Sequence, residues 1–161
     1  MSSLRPTPAD GVRPAEACED EEISTAVERD RGSDRTESAP QWEGTFPPDP
    51  EVGPAIRRRV RDVLREWKVP GGSAEDTVLV VQELVANVVD HARTPFRLVV
   101  RLCGPVVKVC VRDYSAAPLN PRKRDTGAFR GRGLQLIAAI SDRWGCEPQD
   151  PGKIVWAAIP V

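Results

Sequence analysis

The chain has 161 residues, which is enough for one domain with a substantial core and too few for two ordinary domains. Apolar residues make up 40% of the chain, charged residues make up 29%, and the formal net charge is -1, a balance typical of a soluble globular protein. This small net charge does not indicate nucleic acid or a membrane surface as a direct partner, and no run of about 18 apolar residues predicts a membrane span.

The N-terminal segment, residues 1–40, differs in composition from the rest of the chain. It holds ten acidic and five basic residues, and it has no aromatic residue and no sustained apolar period. Such a segment cannot bury enough apolar surface to offset the conformational entropy that is lost on ordering. We therefore predict a disordered acidic tail over residues 1–40, a plain flexible segment in preference to an interaction arm, followed by one folded domain over residues 41–161.

The folded part is predicted to begin with a short strand, Gln41 to Phe46, which ends at a proline-rich turn. A helix follows from Pro54 to Trp67, because apolar residues recur on one face at helical spacing. Arginines occupy the rest of that helix: Arg57, Arg58, Arg59, Arg61 and Arg65. An arginine cluster can indicate nucleic-acid binding, but its alternation with a core-facing stripe favours a solvated helix face.

A long and largely apolar helix is predicted next, from about Ala74 to His91 or Arg93, with Ser73 as its N-cap. Alternating apolar residues then predict two strands joined by a tight Gly-Pro turn, over residues 96–103 and 106–113.

The rest of the chain is predicted to form a loop over 114–130, a helix from about Leu134 to Ser141, and a final strand pair at 144–146 and 152–159. The order β-α-α-β-β-loop-α-β-β predicts an α/β (α+β) two-layer sandwich. In this fold a mostly antiparallel mixed sheet carries its helices on one face.

The direction of the Asp113 side chain follows from the strand that ends there. Lys108 and Arg112 share one parity in that strand, whereas Asp113 shares the other with the apolar row Val107, Val109 and Val111. A sheet with one solvated face would place the lysine and the arginine outside and Asp113 inside. Because an unpaired buried charge is very costly, Asp113 needs a partner.

Two further features are ambiguous when each is taken alone. Glu83, Asn87 and His91 lie at i, i+4 and i+8 of an apolar helix, so they share one face. Buried polar residues need a hydrogen-bond partner, a cavity or an ion, and neighbouring backbone is as good an explanation as a binding site. The turn Gly131-Arg132-Gly133 before a helix either permits tight packing or lets backbone N–H groups approach a phosphate.

The four cysteines give no sign of a metal centre. Cys18, Cys103, Cys110 and Cys146 form no C-x-x-C pair, and the chain has a single histidine. A zinc site is therefore not predicted, and reduced thiols in a cytoplasmic protein are the favoured interpretation.

Four segments, in order, resemble the motifs of one family. Glu83 to Ala92 is similar to the N-box of the GHKL ATPases, which include gyrase-type and histidine-kinase-type proteins. Val111 to Pro118 resembles the next box, Gly131 to Gly145 the glycine box with its helix, and Gly152 to Trp156 the closing strand. The overall length and the short loop resemble the small bacterial branch of anti-sigma-factor serine kinases, and the resemblance covers roughly residues 41–160.

The resemblance implies the Bergerat, or histidine-kinase-like ATPase, fold with an ATP site. Asn87 would bind Mg²⁺ through its side-chain oxygen, and Glu83 would be the general base for the attacking hydroxyl. Asp113 would accept a hydrogen bond from the adenine amino group, with Ser115 beside the base. Backbone donors to the phosphates would come from the glycine turn: Gly131, Arg132, Gly133 and Leu134.

Ser115 stands where many relatives have a glycine two residues after the aspartate, a departure that is common in the small branch, and two further features depart from the family pattern. Ile154 stands where relatives often have a threonine near the adenine, and the loop from Leu119 to Arg130 is short. We expect these features to weaken ATP binding and lid closure, so that turnover is slow or absent while binding survives. Arg132, with Lys123 or Arg124, would add charge-assisted bonds to the phosphates.

The resemblance implies an ATP-binding regulatory protein. It would be an anti-sigma factor with serine/threonine protein kinase activity on an anti-sigma-factor antagonist, and the presence of both Glu83 and Asn87 favours such an enzyme. The alternative is a non-catalytic module, with or without ATP, that sequesters a sigma factor or an antagonist in transcription regulation. Self-association as a homodimer is also expected from the resemblance, whereas direct nucleic-acid or membrane partners are not.

Overall fold

A computed structural model describes residues 39–115 and 132–161. Most of the predicted N-terminal tail, the loop from Leu119 to Arg130, and Gly131 lie outside the described residues, as does the side chain of Arg132. Within these two ranges, no helix is both long enough and apolar enough to cross a membrane.

The described residues form five strands, three α-helices and one π-helical turn in the predicted order. The first half contains β1 (Gln41–Phe46), α1 (Val52–Glu66), α2 (Gly71–Asn87) and the π-helical turn (Val88–Ala92). The second half contains β2 (Phe96–Cys103), β3 (Val106–Asp113), α3 (Arg132–Ile140), β4 (Arg143–Pro148) and β5 (Lys153–Pro160). The predicted element types are confirmed. The observed helix ends differ from the predicted ones by a few residues, because the ends of helices are less well specified than their interiors.

The strands form one sheet in the order β1-β2-β3-β5-β4. All of its strand pairs are antiparallel, whereas the sequence predicted a mixed sheet that is mostly antiparallel. Asp113, at the end of β3, pairs with Phe96 at the start of β2 and with Lys153 at the start of β5. The two-layer α+β architecture of the Bergerat fold is therefore confirmed.

The core lies between the helices and one face of this sheet. The apolar row of β3 predicted to point inward is buried, and so are Phe96, Leu98 and Val100 of β2. Lys108 and Arg112, predicted to lie on the solvated face, are only partly buried. The alternation of β3 therefore assigned the two faces of the sheet correctly.

Helix α1 shows the division of faces that its periodicity predicts. Ile56, Val60, Val63 and Leu64 are buried, whereas most of the arginines are exposed. Several of these arginines make surface ion pairs, including Arg61 with Glu75 of α2 at 3.2 Å. Exposed pairs of this kind contribute little to stability. Because most of its members are exposed, the arginine cluster is a solvated helix face.

The start of α2 differs from the prediction. The helix begins at Gly71 with Pro70 in the N-cap position, and no side chain caps it. Ser73, which was predicted to be the cap, lies inside the first turn, and its carbonyl accepts a hydrogen bond from Thr77 Oγ1 at 2.7 Å. The cap prediction was wrong because the helix starts earlier: its first backbone hydrogen bond runs from the Ala74 N–H to the Pro70 carbonyl, at 2.8 Å.

Candidate functional site

Three segments of the chain meet at one end of the sheet: the end of α2, the end of β3 and the start of β5. A short connection joins the π-helical turn to β2, whose first residue, Phe96, pairs with Asp113. The backbone N–H of Tyr114, just after β3, donates to Thr94 Oγ1 in that connection at 3.2 Å. The polar end of the long helix and the inward carboxylate of β3 are thereby held at the same end of the sheet.

Asp113 is buried, as its parity predicted, with 1% of its surface exposed. Lys153 Nζ lies 2.8 Å from its Oδ2, and the backbone N–H of Ser115 donates to its Oδ1 at 3.1 Å. The buried carboxylate therefore has both a charge partner and a hydrogen-bond donor. The expected need for a partner is confirmed, and in this structure the partner is a lysine of the protein.

The backbone at Gly152 holds the start of β5 against the end of β3. Gly152 has a φ of 93°, in a region that other residues rarely adopt. A Cβ at this position would overlap the backbone carbonyl of Asp113. Only glycine fits this close approach, which brings Lys153 into register opposite Asp113.

The register of β5 also corrects the position assigned to Ile154. Ile154 pairs with Arg112, so it lies on the opposite face of the sheet from Asp113. The β5 residue beside the carboxylate is Lys153, which sequence reasoning did not select. Its parity was a usable signal, since it shares a row with Val155, Ala157 and Ile159, but both rows of this strand are largely apolar. The expected weakening of ATP binding by Ile154 therefore has no support from its position.

Glu83 and Gly133 come together where α2 packs against the start of α3. The Oε2 atom of Glu83 lies 2.6 Å from the point where a Cβ on Gly133 would sit. Gly133 is the second residue of α3, and Leu134 next to it is exposed. The structure thus places a carboxylate predicted to be catalytic beside the glycine turn predicted to bind phosphate, although Gly131 and the Arg132 side chain lie outside the described residues.

Asn87 is the last residue of α2, one helical turn after Glu83, and both side chains are half-buried. Within the described ranges, the Asn87 side chain makes no hydrogen bond. The chain then winds into the wider π-helical turn, which ends at Arg93 in the left-handed conformation. His91, in that turn, is exposed, whereas Glu83 and Asn87 are half-buried.

The donors at this site restrict what kind of metal site it could be. Among the described residues, no three His, Cys, Asp or Glu side chains cluster as metal ligands. Mg²⁺ prefers oxygen ligands and is commonly held by one or two protein side chains together with substrate phosphates. The half-buried Asn87 amide fits that mode of binding, in which substrate phosphates supply the remaining charge.

The charged groups at this end of the sheet affect the pKa of the Cys146 thiol in β4. Although the residue as a whole is exposed, burial of its thiol raises the pKa above its ordinary value, and the negative charge of Asp113 acts in the same direction. The positive charge of Lys153 opposes the shift. The thiol is therefore expected to be protonated at neutral pH, so it is not an activated nucleophile.

Comparison with known proteins places the chain in a family. The model of the histidine kinase-like ATPase domain matches residues 46–159. No curated protein matches the chain. One solved structure with a match is the histidine kinase domain of the blue-light activated histidine kinase EL346 from Erythrobacter litoralis, with 20% identity and a TM-score of 0.44. That match covers 68% of this chain and 60% of the other, so this chain spans less than two thirds of that domain's length.

Proposed function

The chain belongs to the histidine kinase-like ATPase domain family, and from that premise we propose that it binds Mg-ATP at the end of the sheet where α2, β3 and β5 meet. The observation that carries the proposal is the position of two carboxylates, one buried at the end of a strand and one packed against the start of a helix. Asp113 is buried at the end of β3, and Glu83 lies beside Gly133 at the start of α3. A purely structural sandwich requires neither a buried carboxylate nor a carboxylate against a helix start.

The adenine would be recognised by Asp113. Its carboxylate accepts hydrogen bonds only, so it suits the exocyclic amino group of the base. Ser115, whose N–H already donates to Asp113, would lie beside the ring. Because the carboxylate has about four lone-pair positions, the two bonds described here leave capacity for the amino group.

The phosphates would lie at the start of α3. Backbone N–H groups at the first turn of a helix favour negative charge, and Gly133 permits close approach because it carries no side chain. Gly131, Arg132 and Leu134 would complete this turn. Asn87 would hold the magnesium ion, which would supply positive charge to neutralise the charge that develops on the phosphates.

The reaction we propose is phosphoryl transfer to a serine or threonine hydroxyl of a partner protein, an anti-sigma-factor antagonist. The hydroxyl proton passes to the carboxylate of Glu83, and the hydroxyl oxygen forms a bond to the γ-phosphorus. The bond between that phosphorus and the β,γ-bridging oxygen breaks, and ADP leaves. Most of the catalysis would come from positioning and charge neutralisation, with Glu83 adding a smaller share.

One observation favours a second candidate, a module that sequesters a sigma factor or an antagonist without turnover. Asp113 is 1% exposed, so the atoms that cover it must shift before a base can reach the carboxylate. A binding module does not depend on that rearrangement. The two candidates differ in a measurable quantity, which is the movement of phosphate to the partner.

Calorimetry with Mg-ATP on the full chain tests the binding step directly. A pull-down with the full chain from the source cell, followed by incubation with γ-labelled ATP, then tests the transfer step. Labelled partner supports the kinase, and a captured but unlabelled partner supports the sequestering module. Absence of heat with Mg-ATP overturns the nucleotide site and the kinase, and leaves only a sequestering module that acts without ATP.

A further inference from the structure

The contact between Lys153 and Asp113 joins a group that only donates hydrogen bonds to one that only accepts them. Lys153 Nζ lies 2.8 Å from Asp113 Oδ2, with 22% of the lysine side chain and 1% of the aspartate side chain exposed. The two residues are direct register partners on adjacent strands, so backbone pairing places their Cα atoms opposite each other and the ion pair joins the ends of their side chains. The geometry therefore provides two neighbouring and chemically opposite contact points at the proposed base site.

The ammonium is expected to stay on the carboxylate when a base arrives. The amino group of a nucleobase is neutral, so it cannot replace the charge that compensates a carboxylate with almost no solvent contact. Asp113 need not release the lysine either, because one carboxylate can accept from several donors. Base and ammonium would thus share the same carboxylate.

We propose that Lys153 determines base specificity by donating a hydrogen bond to the ring nitrogen next to the amino group that Asp113 recognises. This inference rests on the proposed ATP binding. An ammonium has three N–H donors, and only one is directed at Asp113. Held beside the amino group by their common carboxylate, the ammonium lies within reach of the neighbouring unprotonated nitrogen, which in adenine is N1.

The order of the two contact points gives the selectivity. Adenine presents an amino donor next to a ring acceptor, which matches Asp113 and Lys153 in turn. Hypoxanthine and guanine present a carbonyl acceptor and a ring N–H donor in the reverse order at the same edge. Strand register places Asp113 and Lys153 side by side. A base with the reversed edge therefore brings its ring N–H against the ammonium and its carbonyl oxygen against the carboxylate. Such a mismatch leaves buried polar groups unpaired and lowers affinity.

The test compares Mg-ATP with Mg-1-deaza-ATP, in which a C–H group replaces N1 and the amino group is retained. Calorimetry on the full chain should show about tenfold tighter binding of ATP, the size expected for a charge-assisted hydrogen bond. In Lys153→Met, which keeps the length of the side chain and removes its donors, the two nucleotides should bind about equally. Lys153→Arg, which restores a charged donor, should recover the preference for ATP.

Mg-7-deaza-ATP serves as the matched ligand control, because it loses a ring nitrogen on the other side of the amino group. It should bind the wild-type chain as ATP does, and a loss with this analogue in place of 1-deaza-ATP overturns the assignment to N1. Equal binding of ATP and 1-deaza-ATP by the wild-type chain overturns the proposal whether or not Lys153→Met folds. That result differs from failure of the proposed function itself, in which no nucleotide gives heat at all.

Discussion

The carboxylate of Glu83 occupies space that only a glycine at position 133 leaves open, since its Oε2 lies 2.6 Å from the point where a Cβ would sit. This relationship couples the proposed base to the proposed phosphate turn through simple steric contact. A methyl group at position 133 would therefore affect the position of the Glu83 carboxylate more than the stability of the fold. The atom that would clash is the end of a flexible side chain, so the fold can tolerate the extra methyl group by moving the carboxylate.

Gly133→Ala should therefore keep the stability of the chain and reduce its phosphotransfer. Alanine is the better helix former, which offsets part of the steric cost, so the free energy of unfolding should change by less than about 1 kcal/mol. Displacing the carboxylate by an ångström should lower the transfer rate by about 100-fold. Urea denaturation and a labelled-ATP assay measure the two quantities. A transfer rate equal to wild type would show that Glu83 is not held in place by this contact.

Glu83→Ala should retain Mg-ATP binding and lose transfer. A general base contributes about 100- to 10,000-fold to rate but makes little contact with bound substrate in the ground state. Gln82→Ala is the matched control, because Gln82 is the exposed neighbour on the same helix. Calorimetry and label transfer on both variants give the comparison. Unchanged transfer by Glu83→Ala would remove Glu83 from the mechanism.

Asp113→Asn should lower the affinity for Mg-ATP by about 10- to 100-fold, because a charge-assisted hydrogen bond becomes a neutral one with donors on the same amide. The change also leaves Lys153 without its ion-pair partner, so the free energy of unfolding should fall by about 2 kcal/mol. Asp142→Asn, at an exposed position between α3 and β4, is the control for the chemical change alone. Calorimetry at a temperature where both variants are folded separates affinity from stability.

Equal ATP affinity of Asp113→Asn and the wild-type chain would end the adenine assignment. The control variant also excludes a general effect of lost negative charge on nucleotide binding, because both changes remove one carboxylate.

The fold could be predicted from the sequence because periodicity and burial agree along most of the chain. The alternating row that ends at Asp113 assigned the faces of β3, and the helical stripe of α1 assigned its core side. Ser73 failed as a cap because the helix already starts at Gly71, which leaves Ser73 inside the first turn. The π-helical turn after Asn87 was not predicted, because the spacing of apolar residues does not distinguish it from an α-helix.

The site was harder to predict, since its key neighbour comes from a strand distant in sequence. Lys153 and Ile154 are adjacent, and only the register of β5 against β3 decides which of them faces Asp113. A shift of one residue would exchange them. The sequence indicated that Asp113 needed a partner, but long-range strand pairing determined which residue it was.

The raised pKa of Cys146 predicts slow alkylation at neutral pH. The thiolate is the reactive form, and burial raises the thiol pKa, so the alkylation rate should reach half its maximum above the pH of about 8.5 that is typical of a free cysteine. Removal of the opposing Lys153 charge in Lys153→Met should raise this midpoint further. Rates measured by mass spectrometry of the Cys146 peptide from pH 6 to 11 give both midpoints. A midpoint below that of a free cysteine would contradict the electrostatic description of this end of the sheet.

Gly152→Ala should be the most disruptive single-methyl change at the site. Position 152 combines a φ of 93° with a Cβ position that overlaps the Asp113 carbonyl, and a backbone carbonyl cannot rotate away as a side chain can. The free energy of unfolding should fall by about 3 kcal/mol or more.

Gly104→Ala is the matched control, since Gly104 also has a positive φ, of 54°, but nothing lies within 4 Å of its Cβ position. It should lose only about 1–2 kcal/mol, the cost of the left-handed conformation for alanine. Equal losses in urea denaturation would mean that conformational strain alone, and not the close approach to Asp113, accounts for the glycine, whereas a larger loss at position 152 shows that this contact sets the register of Lys153.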